Sequence, residues 1–246
     1  MTDRDHDHAN GRGSGQEPLT GRENRHGTPT GQQPEPSTGR SSGGPLAHPV
    51  VRAAAAARDV VPAVLRDLRA VDGALYAAVA ATPTPTLDRA LRRLSHAADH
   101  SKISFGVAAG LALRPGRTRR AALTGVTAVA LASAAANLFG KRMVRRRRPD
   151  RERAQVVVER HVPMPRSASF PSGHTASATA FATAVGVTLP LAAVPLGALA
   201  AAVGYSRVHT GVHYPGDVAA GAVLGFAAAA VSLAAARVPR GGTVGG

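Results

Sequence analysis

The chain has 246 residues, 18% of them charged and 44% hydrophobic, with a mean hydropathy of −0.05 and a formal net charge of +15. The absence of Cys excludes disulfide scaffolds, cysteine-based zinc sites and cysteine nucleophiles. The absence of Trp, with only 3% aromatics, argues against a nucleic-acid reader built on base stacking.

These averages combine two dissimilar parts. Residues 1–45 consist of Gly, Pro, Gln, Ser, Thr and charge, with almost nothing to bury, and are expected to form a disordered tail. Acids and arginines nearly balance there, so the positive charge lies in the rest of the chain. The tail lacks the apolar core of a signal peptide and reads as a solvated extension. His6 and His8 within it make only a weak metal pair. Residues 46–98 are rich in Ala and Leu but interrupted by Arg58, Asp59, Arg66, Asp67, Arg69 and Asp72, a pattern of amphipathic helices. A Pro-bearing loop around 82–86 precedes a helix for which Thr86 is the expected N-cap.

Residues 99–240 read as a membrane-embedded domain. After a short apolar run, Ile103–Leu113, residues 121–140, 175–204 and 218–236 carry no charge at all. An uncharged run of about twenty residues suits a bilayer-spanning helix. The small residues throughout would let such helices pack closely. With no strand-period segment, the expected fold is all-α: a multi-pass transmembrane helical bundle of four to six spans. If residues 175–206 go out and come back, the natural turn runs from Leu189-Pro190 to Val194-Pro195. Each arm would then be about 24 Å long.

Three short segments carry the chemistry. Lys141 to Arg153 holds eight basic residues against two acids, directly after an apolar run. Such a run is a solvated face, a lipid-headgroup contact or a topology signal. Ser169-Phe170-Pro171-Ser172-Gly173-His174-Thr175 opens the next apolar block as a helix N-terminus. Unpaired N–H groups there favour an anion, and His174 falls in the first turn. In Ser206 to Asp217, Pro215 fits the first position of the last helix, which puts Asp217 in its first turn and His213 just outside. A carboxylate bonded to one nitrogen of His213 would fix the tautomer and leave the other nitrogen as nucleophile or base. Reading His209, His213 and Asp217 as metal ligands on one continuous helix conflicts with Pro215 and the two glycines.

Together the spacings are Lys-x6-Arg-Pro (Lys141, Arg148, Pro149), Pro-Ser-Gly-His (171–174) and Ser-Arg-x5-His-x3-Asp (Ser206, Arg207, His213, Asp217). This resembles the tripartite signature of the type 2 phosphatidic acid phosphatase and vanadium haloperoxidase superfamily, over roughly residues 86–237. The resemblance implies that Lys141, Arg148 and Arg207 bind phosphate oxygens, with Ser172 and Gly173 adding hydroxyl and N–H donors. It implies that His213 attacks phosphorus, oriented by Asp217, and that His174 protonates the leaving oxygen and later activates water. No metal or other cofactor is expected. The partners implied are a membrane and a lipid-linked phosphate, not a nucleic acid.

The expected activity is hydrolysis of a phosphomonoester or diphosphate on a lipid or polyprenyl carrier through a phosphohistidine. The alternatives are a vanadate-dependent haloperoxidase and a non-enzymatic membrane protein binding anionic lipid through its Arg-rich loop. Localisation is expected in the cell membrane. The positive-inside rule would put the arginine-rich face in the cytoplasm. Many of those arginines would be functional, however, so the side of the active site stays open.

Overall fold

The computed structural model describes residues 49–238, with side chains from Val60 onward except those of Phe139 and Lys141. The expected disordered tail, with His6 and His8, lies outside the described residues. Eight α-helices follow in order: α1 (Pro49–Ala81), α2 (Pro85–Ala97), α3 (Lys102–Ala112), α4 (Arg117–Ala134), α5 (Lys141–Met143), α6 (Gly173–Thr188), α7 (Pro190–His209) and α8 (Pro215–Arg237). A 3₁₀ turn at Asp99–Ser101 joins α2 to α3, and a π-helical turn at Ala135–Gly140 joins α4 to α5. Among the described residues there is no strand.

The centre of the bundle is α6, packed against α4, α7 and α8. Its neighbours touch it through small residues: Ala128 and Ala132 of α4, Ala176, Ala180 and Ala184 of α6, and Ala228 and Ala229 of α8 form one buried cluster. Gly221 and Gly225, one helical turn apart on α8, let the two backbones meet. A Cβ at Gly221 would lie 2.5 Å from the Ser172 carbonyl oxygen, and one at Gly225 would lie 2.6 Å from that of Ala176. A second cluster, with Phe181 and Val185 against Ala121, Ala122 and Val129, joins α4 to the other side of α6.

Many of the large apolar residues point outward instead. Leu123, Leu131, Val187, Leu191, Val194, Val223, Phe226 and Val231 are all exposed, Leu191 almost fully at 97%. Small inside and large outside is the distribution of a bundle whose surroundings are themselves apolar. Among the described residues, three helical segments are long and apolar enough to cross a membrane: Arg117–Leu138, Pro190–His209 and Pro215–Arg237.

Two local expectations are corrected. The α6–α7 hairpin turns at Leu189 alone, whose N–H closes on Val185 O while its carbonyl accepts from Ala192 N. Because Pro190 already starts α7, Pro195 lies inside that helix, and the arms are unequal at 16 and 20 residues. The N-cap of α2 is Thr84, not Thr86, because Pro85 takes the first helical position and the cap must precede it.

The long α1 and α2 clamp the end of the bundle that carries the loops. Arg160, 1% exposed, donates to the carbonyls of Val79, Ala80 and Thr82 and to Asp88 Oδ1 at 2.9 Å. His209 Nε2 meets the same carboxylate oxygen at 2.9 Å, which fastens α2 to the end of α7. Burial pushes the Asp88 carboxyl up, but the Thr84 hydroxyl, Arg160 and His209 outweigh it and hold it below its ordinary range.

Candidate active site

The three sequence segments meet at the loop end of the bundle, stitched by backbone hydrogen bonds. Ser169 N donates to Arg146 O, and Ser172 N donates to Asp217 O, both at 2.9 Å. Ser172 caps α6: its Oγ accepts from Thr175 N at 3.5 Å and from Thr175 Oγ1 at 3.0 Å. The first N–H groups, of Gly173 and His174, have no acceptor within the helix. A Cβ at Gly173 would meet nothing within 4 Å, so the space over this helix end is open.

Asp217, fully buried, is the acceptor at the centre. Oδ1 receives Arg146 Nη1 at 3.0 Å, and Oδ2 receives Tyr214 N at 2.9 Å and the Ser169 hydroxyl. His213 Nδ1 stands 3.5 Å from Oδ2. On the other side of the ring, Nε2 is 3.3 Å from Arg148 Nη1. A guanidinium only donates and a carboxylate only accepts, so both neighbours select the same tautomer, with the proton on Nδ1 and the lone pair on Nε2. Burial first, then the positive charges of Arg148 and Arg207, hold the His213 imidazole down at about 4, against the raising effect of Asp217. The ring is therefore neutral at pH 7.

Arg148 is fixed by carbonyls: Nε donates to Ser167 O at 3.0 Å and Nη1 to Val212 O at 2.8 Å. Arg207 is 2% exposed; its Nη1 donates to Ser95 Oγ at 2.6 Å and lies 4.0 Å from Asp99 Oδ1. Its Nε has no hydrogen-bond partner among the described residues. A desolvated guanidinium so sparsely matched favours an anion beside it. His174 Nε2 meets Asp99 Oδ1 at 2.8 Å. Lys141 lies in α5, and its side chain is outside the described residues. His209 does not join His213; its ring is committed to Asp88.

Five contributors escape the sequence reading. Arg146 bridges Asp217 to Asp72, which it meets at 2.6 Å, and it lies 3.9 Å above the Tyr214 ring. Asp72 also accepts Gly216 N at 2.6 Å, tying α1 to the first turn of α8. Ser169 holds Asp217, Ser95 holds Arg207 and Asp99 holds His174. Only Ser169 and Arg146 lie within segments already singled out.

Comparison with known proteins shows which family the fold resembles. The family model of the PAP2 superfamily matches residues 121–238. The decaprenylphosphoryl-5-phosphoribose phosphatase of Mycobacterium tuberculosis strain H37Rv is 41% identical over 145 residues, which is 57% of this chain and 75% of that protein. The protein of the same name from Mycolicibacterium smegmatis is 39% identical over 158 residues, 62% of this chain and 82% of that one. Among solved structures, the transmembrane PAP2 type phosphatidylglycerolphosphate phosphatase of Bacillus subtilis superposes with a TM-score of 0.57 at 22% identity. That match covers 71% of this chain and 89% of the other. Aquifex aeolicus LpxE gives 0.52 at 24% identity, over 65% of this chain and 93% of the other. At these identities the two structures share the fold.

Proposed function

The chain belongs to the PAP2 superfamily, and from that premise we propose that it is a multi-pass membrane phosphatase acting on a phosphomonoester at the headgroup of a polyprenyl carrier. Decaprenylphosphoryl-5-phosphoribose is the first substrate to assay, because the relatives at 39–41% identity carry its name. The exposed large apolar residues support a bilayer-embedded body in the cell membrane, with the active site at the loop end.

His213 is the nucleophile in this reading. The observation that carries it is the ring's position between Asp217 on Nδ1 and Arg148 on Nε2. Nε2 attacks phosphorus, and the P–O bond to the leaving alcohol breaks with its electron pair remaining on that oxygen. His174 supplies the proton, so the alcohol departs neutral. A water then gives a proton back to His174 as its oxygen attacks the phosphohistidine. The P–N bond breaks, its pair returns to His213, and inorganic phosphate leaves. Arg148, Arg207 and Lys141 hold the non-bridging oxygens, with the Ser172 hydroxyl and the Gly173 N–H at the helix end. These charges meet the negative charge that develops in the transition state.

The test is phosphate release by the purified protein in detergent, comparing decaprenylphosphoryl-5-phosphoribose, a polyprenyl diphosphate and phosphatidic acid, with and without EDTA. Release from the phosphoribose lipid, unaffected by EDTA and abolished in His213→Ala, is expected. Release undiminished in His213→Ala would overturn the mechanism, and no release from any substrate would overturn the activity.

A further inference from the structure

The end of α2 reaches the site from outside the residues matched by the family model. Ser95 and Asp99 are one helical turn apart along the chain, and each touches a different member of the site: Ser95 Oγ lies 2.6 Å from Arg207 Nη1, and Asp99 Oδ1 lies 2.8 Å from His174 Nε2. Directly after Asp99 the backbone takes two residues in the left-handed region, His100 at φ 55° and Ser101 at φ 57°. Neither is glycine, and non-glycine residues persist in such conformations where the surroundings over-determine them. This corner turns the chain from α2 into α3 while the Asp99 carboxylate faces α6. The charged or titratable groups facing Asp99 are His174, Arg207 at 4.0 Å and His96 at 3.7 Å.

We propose that Asp99 is a positioning residue for His174, forming a second carboxylate–histidine pair that serves departure of the alcohol. The inference rests on the phosphatase reading above. An ionised carboxylate only accepts, so it holds the proton on His174 Nε2 and leaves Nδ1 to exchange a proton with substrate and water. The arrangement mirrors the other pair, in which Asp217 faces Nδ1 and leaves Nε2. Asp99 also supplies the countercharge when His174 is an imidazolium, the state that must deliver a proton to the leaving oxygen.

This role predicts dependence on the leaving group. An alkoxide needs a proton to depart, whereas p-nitrophenolate does not, and kcat/KM reports the step that breaks the P–O bond. With the full chain in detergent, Asp99→Asn should lower kcat/KM for dodecyl phosphate about 10- to 100-fold, through kcat with KM nearly unchanged. For p-nitrophenyl phosphate, kcat/KM should stay within about threefold of wild type, because no proton is required in that step. Asp99→Glu should recover part of the alkyl activity. An equal loss on both substrates, or no loss on either, would overturn the proposal, since a merely structural contact does not distinguish leaving groups. If Asp99→Asn aggregates, Asp99→Glu carries the same comparison, with selective loss on dodecyl phosphate as support and uniform or absent loss as refutation. A wild-type protein that hydrolyses neither substrate is a separate result, and it would remove the phosphatase reading itself.

Discussion

Arg148 Nη1 stands 3.3 Å from His213 Nε2, and the same nitrogen of Arg148 donates to Val212 O at 2.8 Å. The arginine is therefore held by the backbone next to the ring nitrogen proposed as the nucleophile. A phosphate attacked by Nε2 meets that guanidinium without any rearrangement of the loop. Arg148→Lys keeps the charge but loses the fork that spans Ser167, Ala168 and Val212. It should lower kcat/KM for the lipid substrate about 10²- to 10³-fold, the effect of removing one preorganised transition-state donor. Steady-state kinetics in detergent checks this, with elution volume as the control for folding.

The pH dependence follows from His213. Its imidazole sits at about 4, so the ring proposed as the nucleophile stays neutral well below the ordinary histidine range. After the substrate's own ionisation is divided out, kcat/KM should show no acid limb near 6.5 and should fall only as pH approaches about 4. Stability takes the opposite sign from a histidine that gains an ion pair. Between about 6.5 and about 4 the unfolded chain binds a proton at His213 that the folded chain does not. This group therefore destabilises the fold as pH drops through that window, and His213→Ala should weaken the acid sensitivity of thermal unfolding.

Arg146 joins two carboxylates from the first and last helices, Asp72 of α1 at 2.6 Å and Asp217 of α8 at 3.0 Å. Removing it leaves the buried Asp217 charge short of the one arginine that bonds to it among the described residues. Arg146→Gln should cost about 1–3 kcal/mol, the usual penalty for an under-satisfied buried group. It should also reduce kcat/KM at least tenfold, because in the proposed mechanism Asp217 orients His213. Thermal unfolding of the detergent-solubilised protein measures the first effect and phosphate release the second.

The contact between α6 and α8 predicts a contrast among glycines. At Gly221 and Gly225 an added Cβ runs into the backbone carbonyls of Ser172 and Ala176, whereas at Gly197 it meets nothing. Gly221→Ala should destabilise by about 1–3 kcal/mol, as overpacking does where rigid backbone must move. It should lower activity as well, since the displaced carbonyl belongs to Ser172, the cap of α6. Gly197→Ala should be neutral or slightly stabilising on helix propensity. Thermal unfolding of the two variants side by side checks the contrast.

What was legible in the sequence was local. The uncharged runs became α4, α6, α7 and α8, and the contiguous spacings singled out His174, Arg207, His213 and Asp217, with Gly173 and Pro215 opening the helices next to two of the segments. Pairs formed across the fold leave no such trace. Asp72 meets Arg146, and Asp99 meets His174, across more than seventy residues, and nothing in the local pattern marks either acid among its charged neighbours. The central helix shows the same limit. Surrounded on several sides, α6 has no single apolar face, so its sequence reports burial without saying against what. Pro195 was misread as part of a turn because a proline near a helix start and one in a loop look alike until Pro190 is known to begin the helix.

The most direct test of the account is chemical trapping of the enzyme during turnover. Quenched at alkaline pH with the phosphoribose lipid present, the protein should carry an alkali-stable, acid-labile phosphoryl group on the peptide containing His213. With p-nitrophenyl phosphate, whose leaving group needs no proton, the group should accumulate in His174→Ala, where water activation is impaired, and it should be absent from His213→Ala with either substrate. A phosphoryl group on any other residue, or turnover persisting in His213→Ala, would contradict it.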